Sequence, residues 1–296
     1  MNHVKEQIHC RDAFGLGLTG AGIGVAVLDT GIFPHKDFDS RIIGFADMVN
    51  HRPRPYDDCG HGSHICGIIG GSGLVSDGRY QGMAPGCNLV AVKVLDKKGN
   101  GSVEDVLAGI TWILERKESL GIRILNISVG SGGKKSMSEN SVLVRGVNQA
   151  WDEGLVVVVA AGNNGPKRMS ITTPGISRKV ITVGCSDDDR EVIVGGKRMV
   201  DYSGRGPTPA CICKPDVVAP GSSIVSCGMQ ENKYAIKSGT SMSTPIVSGA
   251  IALLLEKYPE MTNREVKLKL RESCRDLGLP KNQQGWGLLD VEHLLI

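Results

Sequence analysis

The sequence predicts an open, doubly wound α/β fold: a mostly parallel sheet with helices on both faces. Two observations carry this. Short β-branched runs recur, each bounded by glycine or a turn, and they are apolar throughout rather than alternating, as in strands buried on both faces. Between them lie segments with helical periodicity, and alternating strand and helix gives a parallel sheet wrapped by helices.

The strand candidates are IGVAVLD (23–29), NLVAVKVL (88–95), IRILNIS (122–128), LVVVVAA (155–161) and KVITVG (179–184). The helix candidates are SVEDVLAGITWILERK (102–117), with Ser102 as N-cap, and SVLVRGVNQAWDEG (141–154), which ends at a glycine. IVSGAIALLLEKY, after SGTSMSTP (238–245), reads as a buried helix. TNREVKLKLRESC (262–274) opens with Thr262 and Glu265 in capping-box register, the mark of a surface helix. No repeat, linker or low-complexity stretch divides the 296 residues, so a single domain over 1–296 is expected.

Composition excludes several function classes. The net charge of +3 arises from 34 basic and 31 acidic residues mixed along the chain, with no basic block for nucleic acid or a membrane surface. The longest apolar runs, LVVVVAA and AIALLL, are too short to span a bilayer, and MNHVKEQIHCRDAFG has neither the apolar core nor the cleavage site of a signal peptide. Nine scattered cysteines, an odd number in a chain too long to need staples, fit reduced thiols. A cytoplasmic location follows as an expectation; the oligomeric state is left open.

Four residues stand at strand ends or helix starts, where open α/β sheets place reactive groups. Asp29 closes VAVLD, and alone reads as an aspartate opening a turn. His61, in DCGHGSHICGIIGG (58–71), sits between glycines at a helix start, and alone reads as structural. Ser241, in SGTSMSTP, alone reads as a cap. Asn163 lies on the turn GNNG (162–165) after a buried strand, and alone reads as a turn asparagine. Together they supply the four roles of acyl transfer by a serine: carboxylate, base, nucleophile and oxyanion donor.

The order Asp29, His61, Ser241 differs from that of α/β-hydrolases, and GTSMS lacks the final glycine of their nucleophile elbow. The chain resembles the subtilisin-family serine peptidases over nearly its whole length, most of all the intracellular bacterial alkaline-protease type. The motifs that carry the likeness are DTG (29–31), HGSH (61–64), SVG (128–130), AAGNNG (160–165), KPDVVAPG (214–221) and SGTSMSTP.

The resemblance implies a triad of Asp29, His61 and Ser241, with Asn163 as oxyanion donor and His64 as a structural neighbour. It implies an extended polypeptide substrate paired with Gly99-Asn100-Gly101 and Ser128-Val129-Gly130, and a cis bond at Thr173-Pro174. No acidic cluster near those segments would select lysine or arginine, so broad endopeptidase action with an apolar or aromatic preference before the cleaved bond is expected. No cofactor is required and no metal ligand is assigned. Calcium is left open: Asp37, in HKDF, resembles a family calcium position, but the region GSGLVSDGRYQGMAP (71–85) does not supply a complete ligand set, and PKRMSITTPG (166–175) is short for a second cation site. Secreted relatives carry a folding prodomain; none is evident here.

Two rivals remain. Cys59, His61, His64 and Cys66 form C-x-H-x-x-H-x-C, to which Cys211 and Cys213 could add thiolates in a zinc-binding module, although that leaves Asp29, Asn163 and Ser241 without a purpose. The other is a catalytically inactive subtilisin fold that binds peptides, which the sequence disfavours because no triad member is missing. Cys59 and Cys66, close to His61 in sequence, could let mercurial reagents crowd the imidazole.

Overall fold

The computed structural model describes residues 1–10, 15–130 and 138–296. Its strands are β1 Gly24–Asp29, β2 Ile42–Asp47, β3 Asn88–Lys93, β4 Ile122–Ile127, β5 Val156–Ala160, β6 Ile181–Cys185, β7 Val192–Val194, β8 Lys197–Met199, β9 Val217–Ala219, β10 Ile224–Cys227 and β11 Tyr234–Lys237. Its helices are α1 Asn2–Gln7, α2 His61–Gly70, α3 Val103–Arg116, α4 Val142–Asp152, α5 Thr240–Lys257, α6 Asn263–Ser273, α7 Lys281–Gln284 and α8 Val291–Leu295.

Seven strands form one parallel sheet in the order β2-β3-β1-β4-β5-β6-β9. All residues of β1 and β5 are buried, as their unbroken apolar runs predict. From β1 the chain crosses to the edge strand β2, comes back with β3 between the two, then passes to the other side of β1 with β4. The winding therefore reverses between β1 and β4, and the crevice beyond their carboxyl ends is where such sheets place ligands. Asp29 ends β1, and Ser128 follows β4.

The helices divide between the two faces. Gly109 of α3 lies so close to the sheet that a Cβ there would sit 2.8 Å from Val94 and 3.1 Å from Val92. On the opposite face lies α5, whose Ser248 hydroxyl donates to Asn126 Oδ1 of β4 at 2.9 Å. This helix is apolar around most of its circumference because it runs through the middle of the core, against the sheet and α2. Gly249 permits that packing: a Cβ would fall 2.4 Å from Met83 Cβ.

The capping residues act as expected: Ser102 accepts from Asp105 N–H at 2.9 Å, and Thr262 and Glu265 form the reciprocal capping box of α6. The bond Thr173-Pro174 is cis. Strands β2, β9 and the ribbons β7–β8 and β10–β11 have no counterpart in the sequence reading. They are edge or short antiparallel elements, with one covered face or few residues, so the long apolar run that marks a central strand is missing.

Candidate active site

The site starts at the end of β1. Asp29 is 1 % exposed, and its Oδ1 accepts from Thr30 N–H at 2.8 Å and lies 2.7 Å from His61 Nδ1. His61 is the first residue of α2, with its side chain 24 % exposed, so one ring edge faces the carboxylate and the other is free for the cleft. Burial works against the charged imidazole, but the Asp29 charge and hydrogen bond outweigh it and leave the His61 pKa raised.

Two glycines let these segments meet. Gly31 has φ +109°, and a Cβ on it would sit 2.1 Å from Tyr56 O; a Cβ on Gly62 would sit 2.1 Å from Gly31 O. Backbone therefore lies on backbone, which explains the glycines of DTG and HGS. Asp57 ties the junction together: its carboxylate accepts from Thr30 Oγ1, the N–H groups of Cys59 and Gly60, and both N–H and hydroxyl of Ser63. Burial alone would raise its pKa, but these donors overcome that and hold it below the usual carboxylate range.

On the other side stands the start of α5. Thr240 N–H donates to Asn163 Oδ1 at 3.0 Å and Met242 N–H to Gly239 O at 2.9 Å, which leaves Ser241 N–H as a free donor of the first turn. The Thr240 hydroxyl also donates to Asn163 Oδ1, at 3.1 Å, and accepts from Gly162 N–H. With its oxygen held twice, the Asn163 amide turns its NH2 the other way. The Ser241 hydroxyl donates to Ser128 O at 2.8 Å, so it rests against β4 rather than on the imidazole.

One cavity of about 520 Å³ is lined by His61, Asn163, Thr240 and Ser241 together with Gly99, Ser128, Val129 and Gly130. A second, of about 310 Å³, shares Leu95, Gly99, Val129 and Gly130 with it, and adds Asn100, Gly101 and the apolar side chains of Val103, Val106 and Leu143. All ten residues singled out in the sequence thus border one groove, apart from Asp29, which lies buried behind His61. The space of a Cβ is open at Gly99, whereas at Gly101 and Gly130 it is filled by Val94 O at 2.4 Å and Thr172 Oγ1 at 2.5 Å, so those two glycines answer to the protein's own packing.

Residues 20–287 match the subtilase family (Peptidase_S8). The chain belongs to the subtilase family. It is 42 % identical to the serine protease AprX of Bacillus subtilis (strain 168) over 287 residues, 91 % of this chain and 64 % of AprX. It thus spans less than two thirds of that relative. Subtilisin Savinase of Lederbergia lenta is 35 % identical, over 97 % of this chain and 96 % of that protein. Among solved structures, sphericase superposes with a TM-score of 0.77 at 30 % identity, covering 93 % of each chain.

In this subtilase the four residues of the zinc rival do not converge. His61 faces Asp29; His64 is fully buried, its Nε2 placed 3.1 Å from both Ile224 O and Ala235 O, and Cys66 is buried in the core. Burial drives the His64 pKa down to about 3, so it is a neutral structural ring. The calcium position fares no better. Asp37 is buried, and its carboxylate accepts from Val75 N–H at 3.0 Å and Tyr234 OH at 2.8 Å, with His35 and Cys227 as neighbours. A hard cation needs six or more oxygens, and a thiol and an imidazole do not supply them.

Three positioning residues escaped the sequence reading: Thr240, Asp57 and Lys93. The Lys93 ammonium is fully buried and donates to Thr30 O, Leu95 O and Asp58, fixing the loop behind Asp29. A signal for it existed, since NLVAVKVL places a lysine inside a strand otherwise buried on both faces. Asp57 and Thr240 gave none, because each is a polar residue next to a turn or cap.

Proposed function

We propose that the chain is a serine endopeptidase that hydrolyses polypeptides through an acyl-enzyme on Ser241. The observation that carries this reading is the Asp29–His61 pair at 2.7 Å, opening onto the same cavity as Ser241 and Asn163. With Nδ1 carrying the proton toward Asp29, Nε2 is the base. Ser241 Oγ leaves Ser128 O by rotation about its Cα–Cβ bond, gives its proton to His61 and attacks the carbonyl carbon. The oxyanion that forms takes hydrogen bonds from Asn163 Nδ2 and Ser241 N–H, at the positive end of the α5 dipole. His61 then passes its proton to the departing amine, and water repeats the sequence to release the acid.

The substrate lies extended along 99–101 and 128–130, and the apolar hollow beyond them supports a preference for apolar or aromatic side chains before the cleaved bond. Relatives named as serine proteases and subtilisins agree with the reaction. Among the described residues no helix is long and apolar enough to cross a membrane. All nine cysteines are free, which supports a reducing, cytoplasmic compartment.

The test is covalent labelling. A sulfonyl fluoride or organophosphate should modify Ser241 and abolish casein hydrolysis, with no label on Ser241→Ala. Casein hydrolysis that survives full labelling of Ser241, or that persists in Ser241→Ala and yields only to chelators, would refute the mechanism.

A further inference from the structure

The catalytic cavity carries a cation that the reaction does not use. Lys237 ends β11, is half-buried and lines the cavity with His61 and Ser241. Among the described residues no carboxylate forms an ion pair with it: Asp29 is taken by His61, Asp58 by Lys93, and Asp57 by hydroxyl and N–H donors. The charge therefore faces the cleft uncompensated.

Its side of the cleft follows from the packing. The β10–β11 ribbon is fastened to α2 by the His64 ring, which reaches Ile224 O and Ala235 O, so the ribbon lies on the same wall as the helix that begins at His61. The Lys237 charge is felt by His61 and by Cys59 on this wall. In peptide hydrolysis the proton on His61 goes to the departing amine, so the residues after the cleaved bond leave past His61. The acyl half stays on the opposite side, where Ser241 rests on Ser128.

We propose that Lys237 is a cationic subsite that selects an acidic side chain just after the cleaved bond. This rests on the peptidase reading and names its substrate class. A half-exposed ion pair changes kcat/KM by about two- to fivefold, and salt weakens it.

The test uses internally quenched peptides that differ only at the first two positions after the cleaved bond, as Glu, Gln or Lys. At low salt Glu peptides should be cleaved faster than Gln peptides by about two- to fivefold, and Lys peptides slower. Lys237→Gln should erase the ranking and Lys237→Glu should invert it. Lys98→Gln, on the Gly99 rim of the same cavity, should leave it in place. An unchanged ranking in Lys237→Glu, an absent one in the native enzyme, or an equal loss in Lys98→Gln would overturn the subsite. Labelling of Ser241 in the same preparations separates the two claims: a labelled, active enzyme indifferent to charge refutes only the subsite, whereas failure to label or cleave refutes the peptidase reading itself.

Discussion

The two walls of the cleft are made of different chemistry. The wall of β1, α2 and β11 is ionic: it carries Asp29, Asp57, Lys237 and the Lys93–Asp58 pair, and the charges of Asp29, Lys237 and Asp57 act on the His61 pKa. The network that fixes Ser241 and Asn163 on the other wall is neutral. Thr240 holds Asn163, Ser248 donates to Asn126, and Asn126 donates to Ser128, whose carbonyl receives the nucleophile. The difference follows from the two tasks. A base that takes and returns a proton needs a fixed counter-charge, whereas an oxyanion that exists only during reaction is best met by preset dipoles that leave the resting state undisturbed.

The largest break in this comparison comes from removing the counter-charge. Asp29→Asn should lower kcat by about 10⁴, the size of effect known for the equivalent change in a trypsin-type triad. It should also move the acid limb of the pH profile. His61 must be neutral to accept a proton, so activity in the native enzyme falls as pH drops through its raised pKa, above the ordinary value of 6.5. Without Asp29, burial and the Lys237 charge, both of which disfavour imidazolium, are opposed only by the smaller effect of Asp57, and the limb of the residual activity should shift to lower pH. An unmoved limb would show that Asp29 does not set the His61 proton.

Breaking the neutral wall should cost less and leave the pH profile alone. Asn163→Ala should lower kcat by about 10²–10³ with little change in KM, a magnitude borrowed from the oxyanion asparagine of a subtilisin. Thr240→Val removes the hydroxyl that orients Asn163 and accepts Gly162 N–H; at about 1–1.5 kcal/mol per net hydrogen bond, kcat should fall about five- to tenfold. Thr240→Ser should restore it. Equal rates in Thr240→Val and Thr240→Ser would leave the hydroxyl without a role.

The same contrast explains what could be read in advance. The central strands were legible because burial on both faces leaves an unbroken β-branched run, and the residues that converge on the cleft because strand ends and helix starts are marked by DTG, HGSH, GNNG and GTS. Edge strand β2 was not, since only one face is covered and Gly44 interrupts its run. The positioning residues divide by the strength of their local conflict. Lys93 violates its apolar strand and could have been flagged, whereas Asp57 and Thr240 sit where aspartate and threonine occur for ordinary reasons, and their roles arise only from contacts across 27 and 77 residues of chain. Such contacts leave no periodicity behind.

The smallest effect on catalysis, and the finest probe of the ionic wall, is at Cys59. Its thiol lines the cavity beside His61, while Cys66 lies buried one turn further along α2 and Cys211 and Cys213 lie on the surface away from the cleft. Burial raises the Cys59 pKa, so near neutral pH it is a protonated thiol, slow toward alkylating reagents that require the thiolate. A thiophilic mercurial can displace that proton, and the bulk it adds would occupy the space through which His61 meets the departing amine. Cys59→Ser should therefore retain nearly native kcat/KM yet resist an organomercurial that inhibits the parent, whereas Cys66→Ser should remain sensitive. Inhibition of Cys59→Ser to the same extent would mean that the reagent acts at another thiol and that the wall behind His61 has no room to be crowded.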